Sequence, residues 1–413
     1  MKLKSLKIEN YRSCRNTNLS FNDELTCLIG INGSGKSNIL NAILLLRKLI
    51  NSSAISNNQI DTFKNTCKIF VELEYNNKTL YIRGDISFGT DEYNVDYIQF
   101  SSLSWNFKDF INNQLWFKLP QYVFDIDFLQ MIKSKSSSND FINSRFEKLL
   151  NSVDDKEYKT ILKILESVYN FFNGINYYSA SIFTDPSKCP VSIEFDEKKP
   201  TRRIISAQRH DKFIIDLYNV FKENGIEYKR FLSIINKSGI GLIENIDFKE
   251  VSLPSSTLDV KSVGNMEVKE NKRLLVIPSF RVDGIDLSPN QLSEGTFKTL
   301  SLIFYILTDK SKLLLIEEPE VCVHHGLLNS LIELIKSQSK HKQIIISTHS
   351  DFVLDHLSPE NIVLVEHNGV NGTTAKSLTN SMTKNEYKAL KSYLEESGNL
   401  GDYWIEGGFD NDK

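Results

Sequence analysis

The chain has 413 residues, 40% of them hydrophobic, with a net charge of −3 and five cysteines. That length and apolar content suit two or three domains with a sizeable core, and the near-balanced charge excludes a surface that is one continuous nucleic-acid footprint. Cys14, Cys27, Cys67, Cys189 and Cys322 are scattered without a C-x-x-C pair, which reads as reduced structural thiols. No charged-then-apolar leader opens the chain and no run reaches 18 apolar residues, so a cytoplasmic protein with no membrane association is expected.

In chain order, Leu3 to Glu9 alternates apolar and polar residues as a strand with one covered face does. Asn10-Tyr11-Arg12-Ser13 turns the chain, and Leu19-Ser20-Phe21 reads as a second short strand. Leu25 to Ile29 is a buried strand, and Asn38 to about Leu49 is a helix with Ile39, Leu40, Ile43, Leu44 and Leu46 on one side. Between them lies Gly30-Ile31-Asn32-Gly33-Ser34-Gly35-Lys36-Ser37, a G-x-x-x-x-G-K-S phosphate loop in its required strand–loop–helix context. The glycines let consecutive backbone N–H groups, from Asn32 through Asn38, converge on phosphate oxygens at a helix start. Lys36 supplies charge near the β- and γ-phosphates, and Ser37 offers a hydroxyl to Mg²⁺. Further on, Lys68 to Tyr75 and Thr79 to Ile86, separated by Asn76-Asn77-Lys78, form an antiparallel hairpin.

Three segments follow from these patterns: 1–100, 101–272 and 273–413. The middle one is a mixed, largely helical insertion, with helical patterns at Phe141 to Leu150, Tyr158 to Phe172 and Lys212 to Asn224, and no sustained heptads. It contains a polar loop from Lys133 to Asp140. It also holds the densest positive charge, Lys198-Lys199-Pro200-Thr201-Arg202-Arg203 followed by Arg209, His210 and Lys212, open to either a solvated loop or a phosphate-backbone contact.

The last segment is regular again. Leu274 to Pro278, Lys312 to Ile316 and Gln343 to His349 read as strands, and helices follow Ser288 and run from Leu327 to Lys336. Continuous apolar strands alternating with helices predict an α/β fold with a parallel sheet covered on both faces. Ligands in such sheets gather at the carboxyl ends of strands. Glu317 and Glu318 end one such strand, the first placed for a Mg²⁺ shell and the second to polarise water. His349 ends the next strand, where an imidazole can sense a γ-phosphate or position water. Ser293 is an N-cap candidate, and Leu292-Ser293-Glu294-Gly295-Thr296 is equally an anion site at a helix N-terminus; with one phosphate loop already in the chain, that suggests use in trans.

GINGSGKS, LSEGT, LLLIEEPE and IIISTHS, in that order, resemble the Walker A, signature, Walker B and switch-histidine motifs of ABC-type ATPase heads. LKIENYRS and EEPEVCVHH resemble the RecF/SMC/OLD-like branch, which includes AAA family ATPases of anti-phage defence systems. The matched segments cover roughly the first 50 residues and 285–365. The resemblance implies a P-loop head with a parallel sheet core, an antiparallel β-layer and a mainly helical insertion, binding ATP and Mg²⁺. It further implies a homodimer in a head-to-tail ATP sandwich, in which Ser293, Glu294 and Gly295 reach the γ-phosphate of the opposite subunit. Glu318 becomes the hydrolytic carboxylate, His349 the switch, and Arg12 a nucleotide contact near the loop. Glu317 stands where the family has aspartate, and the Q-loop is open between Gln208 and the Tyr178–Ser181 stretch. A C-terminal Toprim nuclease needs more than the 64 residues after His349, so a nuclease or toxin effector is expected on another chain encoded nearby. The alternative function is RecF-like repair with duplex DNA as the nucleic-acid partner.

Overall fold

The computed structural model describes residues 1–51, 66–90, 96–107, 109–110, 116–119, 155–179, 186–196, 209–260, 266–321, 323, 325–396 and 398–406. Outside these lie the polar loop at 133–140, the helical pattern at 141–150, the basic cluster at 198–203, Gln208, Ala180, Ser181 and Cys322.

The strands are β1 (Lys2–Tyr11), β2 (Cys14–Ser20), β3 (Leu25–Ile29), β4 (Thr66–Tyr75), β5 (Lys78–Thr90), β6 (Asp96–Asn106), β7 (Phe117–Leu119) and β8 (Asn176–Ser179). They continue with β9 (Ile193–Asp196), β10 (Asn245–Val260), β11 (Met266–Val282), β12 (Ile285–Leu287), β13 (Leu313–Glu317), β14 (Gln343–Thr348), β15 (Ile362–Asn368) and β16 (Gly372–Ser377). The helices are α1 (Lys36–Ile50), α2 (Asp155–Asn173), α3 (Arg209–Glu223), α4 (Gly225–Ile235), α5 (Glu294–Thr308) and α6 (His325–Ser339). Four more follow: α7 (Asp351–Asp355), α8 (Leu378–Ser381), α9 (Lys384–Glu395) and α10 (Leu400–Ile405).

Two compact units divide these elements, one of residues 1–177, 310–318 and 335–413, the other of 178–309 and 319–334. The first contains an antiparallel sheet ordered β2-β1-β4-β5-β6-β7. Its β4–β5 hairpin turns through Asn76 and Asn77 at φ 52° and 59°, the two left-handed residues that match the twist of paired strands. The second sheet, ordered β16-β15-β3-β14-β13-β8, has parallel pairings from β15 through β13.

The apolar content of the strands explains how these layers close. Leu6, Ile8, Ile69 and Val71 of the antiparallel sheet share one core with Leu313, Leu315 and Ile345 of the parallel strands, and with Ile39, Leu40, Ile43 and Leu46 of α1. Helix α1 is buried on more than one stripe, since Ala42, Leu45 and Leu49 are also covered, while Leu44 is only partly so. Ile161, Leu165 and Val168 of α2 join the same core, and Arg47 of α1 donates to the Ile175 carbonyl at 2.8 Å. The other face of the parallel sheet packs Ile29, Leu354, Ile362 and Leu364 against Leu378, Leu390 and Leu400. Both faces are therefore covered, as continuous apolar strands require. Cys14, Cys27, Cys67 and Cys189 are free and buried; burial pushes the thiol of Cys14 up to about 11 and that of Cys67 to about 12, which keeps both unreactive.

The second unit is built on a long ribbon, β10 against β11, with 16 paired positions from Asn245↔Arg281 to Val260↔Met266. β9 and β12 add to β11. Phe213 of α3 packs edge-on against Phe297 and Phe304 of α5, and Phe231 of α4 against Phe304. Within the described part of 101–272, then, strands stand beside the helices that cover two of the expected stretches, 158–172 and 212–224; the third, 141–150, lies outside the described residues. β10 escapes a pattern search because Ser, Thr, Lys and Glu dilute its apolar alternation.

One buried side chain ties the sheets together at their far end. Gln343, at the start of β14, accepts from Leu3 N–H at 2.8 Å and donates to the carbonyls of Leu3 at 2.7 Å and Asn22 at 2.8 Å. Replacing it by Leu leaves those buried backbone groups without partners, at a cost of about 1–3 kcal/mol for each group stranded. Gln343→Leu should therefore lower urea-unfolding stability by about 3 kcal/mol, and a loss below about 0.5 kcal/mol would refute the role.

Candidate nucleotide-binding site

Register brings the motifs together. Glu317 pairs with Ser347 across β13 and β14, and Thr348 and Leu364 both pair with Ile29. The carboxyl ends of β3, β13 and β14 thus stand at one level, which puts the phosphate loop, the two glutamates and His349 on one edge of the sheet.

The loop leaves β3 at Gly30 and enters α1 at Lys36, with Gly33 and Gly35 at φ 84° and 105°. Ser34 N–H closes a tight turn onto the Ile31 carbonyl at 3.2 Å, and Asn38 and Ile39 N–H both reach the Gly35 carbonyl. Ile31, Asn32 and Gly33 are exposed, whereas Ser34 and Lys36 are buried. The Lys36 ammonium donates to the carbonyls of Gly30 at 2.6 Å and Ile31 at 3.1 Å, folded across its own loop. A Cβ at Gly30 would lie 2.1 Å from the Val365 carbonyl oxygen, and one at Gly35 2.1 Å from Thr373 Oγ1. The loop therefore lies flat on β15 and β16 only because both positions are glycine.

Around it runs a chain of polar contacts. Arg12, at φ 49° in the turn after β1, donates to Asn38 Oδ1 at 3.3 Å; Asn38 Nδ2 donates to Ser13 Oγ at 2.6 Å. Ser13 Oγ is 2.8 Å from Thr373 Oγ1, which is 2.9 Å from the Ser34 carbonyl. Thr373 has one hydroxyl proton and the carbonyl only accepts, so Thr373 donates to Ser34 and Ser13 donates to Thr373. Backbone contacts support the same group: Thr373 N–H to Ser13 O at 2.8 Å and Thr17 Oγ1 to Thr373 O at 2.6 Å.

At the acidic end, Glu317 accepts a short hydrogen bond from the Tyr177 hydroxyl on β8. Glu318 has φ 49°, left-handed for a residue with a Cβ, while its N–H holds the Ser347 carbonyl at 2.8 Å. That turn brings Glu318 Oε1 to 3.4 Å from His349 Nδ1. Such a backbone costs about 1–3 kcal/mol and persists where neighbours over-determine it.

Ser293, Glu294 and Gly295 belong to the second unit. Ser293 caps α5, its Oγ accepting from Thr296 N–H at 3.2 Å. Glu294 pairs with the buried Lys298 at 3.0 Å, and the Gly295 carbonyl accepts from Thr299 Oγ1 at 2.8 Å.

The donor set suits a nucleoside triphosphate. A loop turned through Gly33 and Gly35 at positive φ, a lysine at the helix start and the N-terminus of α1 are complementary to phosphate. For a divalent cation the side chains are hard oxygen donors, Ser37 and Glu317, and among the described residues no group of three or more His, Cys, Asp or Glu forms a cage. Hard oxygen donors of this kind suit Mg²⁺, which is held largely by phosphate oxygens and water.

A phosphate loop, an acidic strand end and a histidine on the strand between them define a P-loop nucleotide hydrolase. The AAA ATPase domain model matches residues 1–354, and the chain belongs to that family. Among curated relatives, the DNA double-strand break repair Rad50 ATPase of Methanosarcina acetivorans is 38% identical over 85 residues, 20% of this chain and 8% of that protein. The Rad50 ATPase of Methanococcus maripaludis is 51% identical over 43 residues, 10% and 4%. The DNA replication and repair protein RecF of Clostridioides difficile is 46% identical over 46 residues, 11% and 12%. The chain thus matches only a small fraction of each relative's length. Among solved structures, the SMC head domain of Thermotoga maritima is 14% identical, covering 91% of this chain and 99% of that one, with a TM-score of 0.45.

Sequence missed Tyr177 and Thr373. Tyr177 directly precedes the Tyr178–Ser181 stretch considered for the Q-loop; Thr373 lies 339 residues from Ser34 with no motif around it.

The strain at Glu318 is directly measurable. Glycine enters the left-handed region freely and alanine does not, so Glu318→Gly should be more stable than Glu318→Ala by about 1 kcal/mol in urea unfolding. Equal stabilities would mean that the left-handed turn does not persist in solution.

Proposed function

We propose that the chain is an ATP-dependent switch: two copies close head to tail on ATP, and hydrolysis reopens them, controlling a separate nuclease or toxin effector in anti-phage defence. The observation that carries the catalytic part is the left-handed Glu318 at the strand end, with its carboxylate 3.4 Å from His349. In this reading Lys36 and backbone N–H groups of the Asn32–Asn38 stretch, other than those of Ser34 and Asn38 that close its turns, bind the β- and γ-phosphates, with Arg12 contacting nucleotide beside the loop. Ser37 and Glu317 hold Mg²⁺, which when bound neutralises charge on the phosphate oxygens. The Tyr177 hydroxyl steadies Glu317, one methylene longer than the family's aspartate. Glu318 takes a proton from the attacking water, and His349 orients that water and registers the γ-phosphate.

Ser293, Glu294 and Gly295 complete the partner's site. Their cap geometry supports this as well as local stability, because a helix start with a serine hydroxyl is an anion site. The defence role is supported by the motif phrases shared with OLD-like ATPases, and the effector is sought in the product of the neighbouring reading frame. The RecF relatives favour a second reading, a repair ATPase on duplex DNA. Salt-dependent duplex binding, weakening steeply between low and moderate salt, would select that alternative.

Glu318→Gln should retain ATP binding and lose turnover by at least about 100-fold, the scale of a general base; turnover at the unmodified rate would move the base elsewhere. The trans assignment has its own test. Lys36→Ala and Ser293→Arg should each be inactive alone. In a mixed dimer both lesions fall in one composite site and leave the other intact, so mixing should restore part of the activity. If heterodimers form and nothing returns, a single intact site does not suffice; if Ser293→Arg alone is fully active, the trans reading fails.

A further inference from the structure

The hairpin of β15 and β16 lies beyond the 1–354 stretch that carries the family match, yet its Thr373 sits directly beneath the phosphate loop. We propose that Thr373 is a positioning residue for nucleotide binding: its hydroxyl fixes the Ser34–Gly35 peptide so that the Gly35 N–H faces the phosphates.

The peptide unit is planar and trans, so its C=O and N–H point in opposite directions. Thr373 Oγ1 holds the Ser34 carbonyl at 2.9 Å, and Ser34 is buried. With the carbonyl anchored toward β16, the Gly35 N–H is turned to the opposite side, away from the hairpin. Gly35 at φ 105° has no side chain to resist another orientation, so the peptide of a free glycine loop could flip; the Thr373 bond selects one state.

The hydroxyl itself is oriented from the other side of the loop. Ser13 donates to Thr373 Oγ1, Asn38 Nδ2 donates to Ser13, and Arg12 donates to Asn38, so each donor direction in the chain is determined by the next. The Thr373 backbone leaves little freedom, with its N–H bonded to Ser13 O and its carbonyl to Thr17 Oγ1. Arg12, proposed as a nucleotide contact, reaches the start of α1 directly through Asn38, and the relay through Ser13 and Thr373 couples it to the Ser34 carbonyl as well.

This rests on the loop being the nucleotide site, and the test separates the two ideas. ADP without Mg²⁺ is the probe, titrated calorimetrically at a temperature where circular dichroism shows every variant folded. Thr373→Val, which keeps the shape and removes the hydroxyl, should weaken ADP binding about fivefold to tenfold, the effect of one lost hydrogen bond, and Thr373→Ser should restore it. Ser13→Ala, which breaks the relay one step earlier, should weaken it by less. Thr373→Val binding ADP as tightly as the unmodified chain, or Thr373→Ser binding as weakly as Thr373→Val, would overturn the proposal. Lys36→Ala is the control: if it too binds ADP normally, the nucleotide-site reading falls and Thr373 has no phosphate to serve.

Discussion

Two side chains that cannot exist organise this protein. Val365 O and Thr373 Oγ1 occupy the space a Cβ would need at Gly30 and Gly35. Because the loop is pressed onto β15 and β16 without side chains between, α1 starts where β3 ends and Lys36 is drawn under cover, 5% exposed, against the Gly30 and Ile31 carbonyls. Burying an ammonium is tolerable only with such partners, since an unpaired charge away from water costs far more than a hydrogen bond returns. The parallel register then does the rest: with Ile29 level with Thr348, and Glu317 level with Ser347, the acidic turn and His349 arrive at the same edge.

Among the described residues of the first unit, the left-handed positions away from the loop, Asn76 and Asn77, are asparagines that tolerate that backbone, whereas two at the edge are not. Arg12 and Glu318 both hold φ 49°, a region unfavourable to residues with a Cβ, and both flank the loop's strands. Each is held by neighbours rather than by preference: Glu318 through its N–H to Ser347 O, Arg12 through Asn38 and the turn into Ser13. Away from the edge the construction is ordinary. Leu, Ile and Val of two sheets close around α1, and Gln343 satisfies the backbone at the opposite end of the strands. Local backbone strain beside a well-packed core is the distribution expected where a scaffold must hold reactive groups in one geometry.

Much of this was legible before any coordinates. The five-residue apolar strand before Gly30, the G-x-x-x-x-G-K-S spacing and the paired glutamates after Leu313–Ile316 each carry a local signal, and all fall where expected on the sheet. The serine before α5 was legible as a cap for the same reason: capping is a contact over three residues. What stayed hidden is long-range. Thr373 and Tyr177 reach the site only because β16 and β8 lie in the same sheet as the loop, and a lone threonine or tyrosine carries no spacing to betray that. Strand β10 was hidden differently, by polar residues that interrupt a period of two, although Leu274 to Pro278 of its partner β11 was legible. A left-handed glutamate is equally invisible, since only glycine and asparagine announce positive φ.

In the proposed cycle ATP closes two copies of the head upon each other. Sedimentation of the Glu318→Gln protein in Mg²⁺ with ATP and with ADP addresses that directly, since slow turnover leaves the ATP state populated. A dimer with ATP and a monomer with ADP at the same concentration is the result expected. The same sedimentation coefficient with both nucleotides, whether monomer or dimer, would contradict an ATP-gated closure.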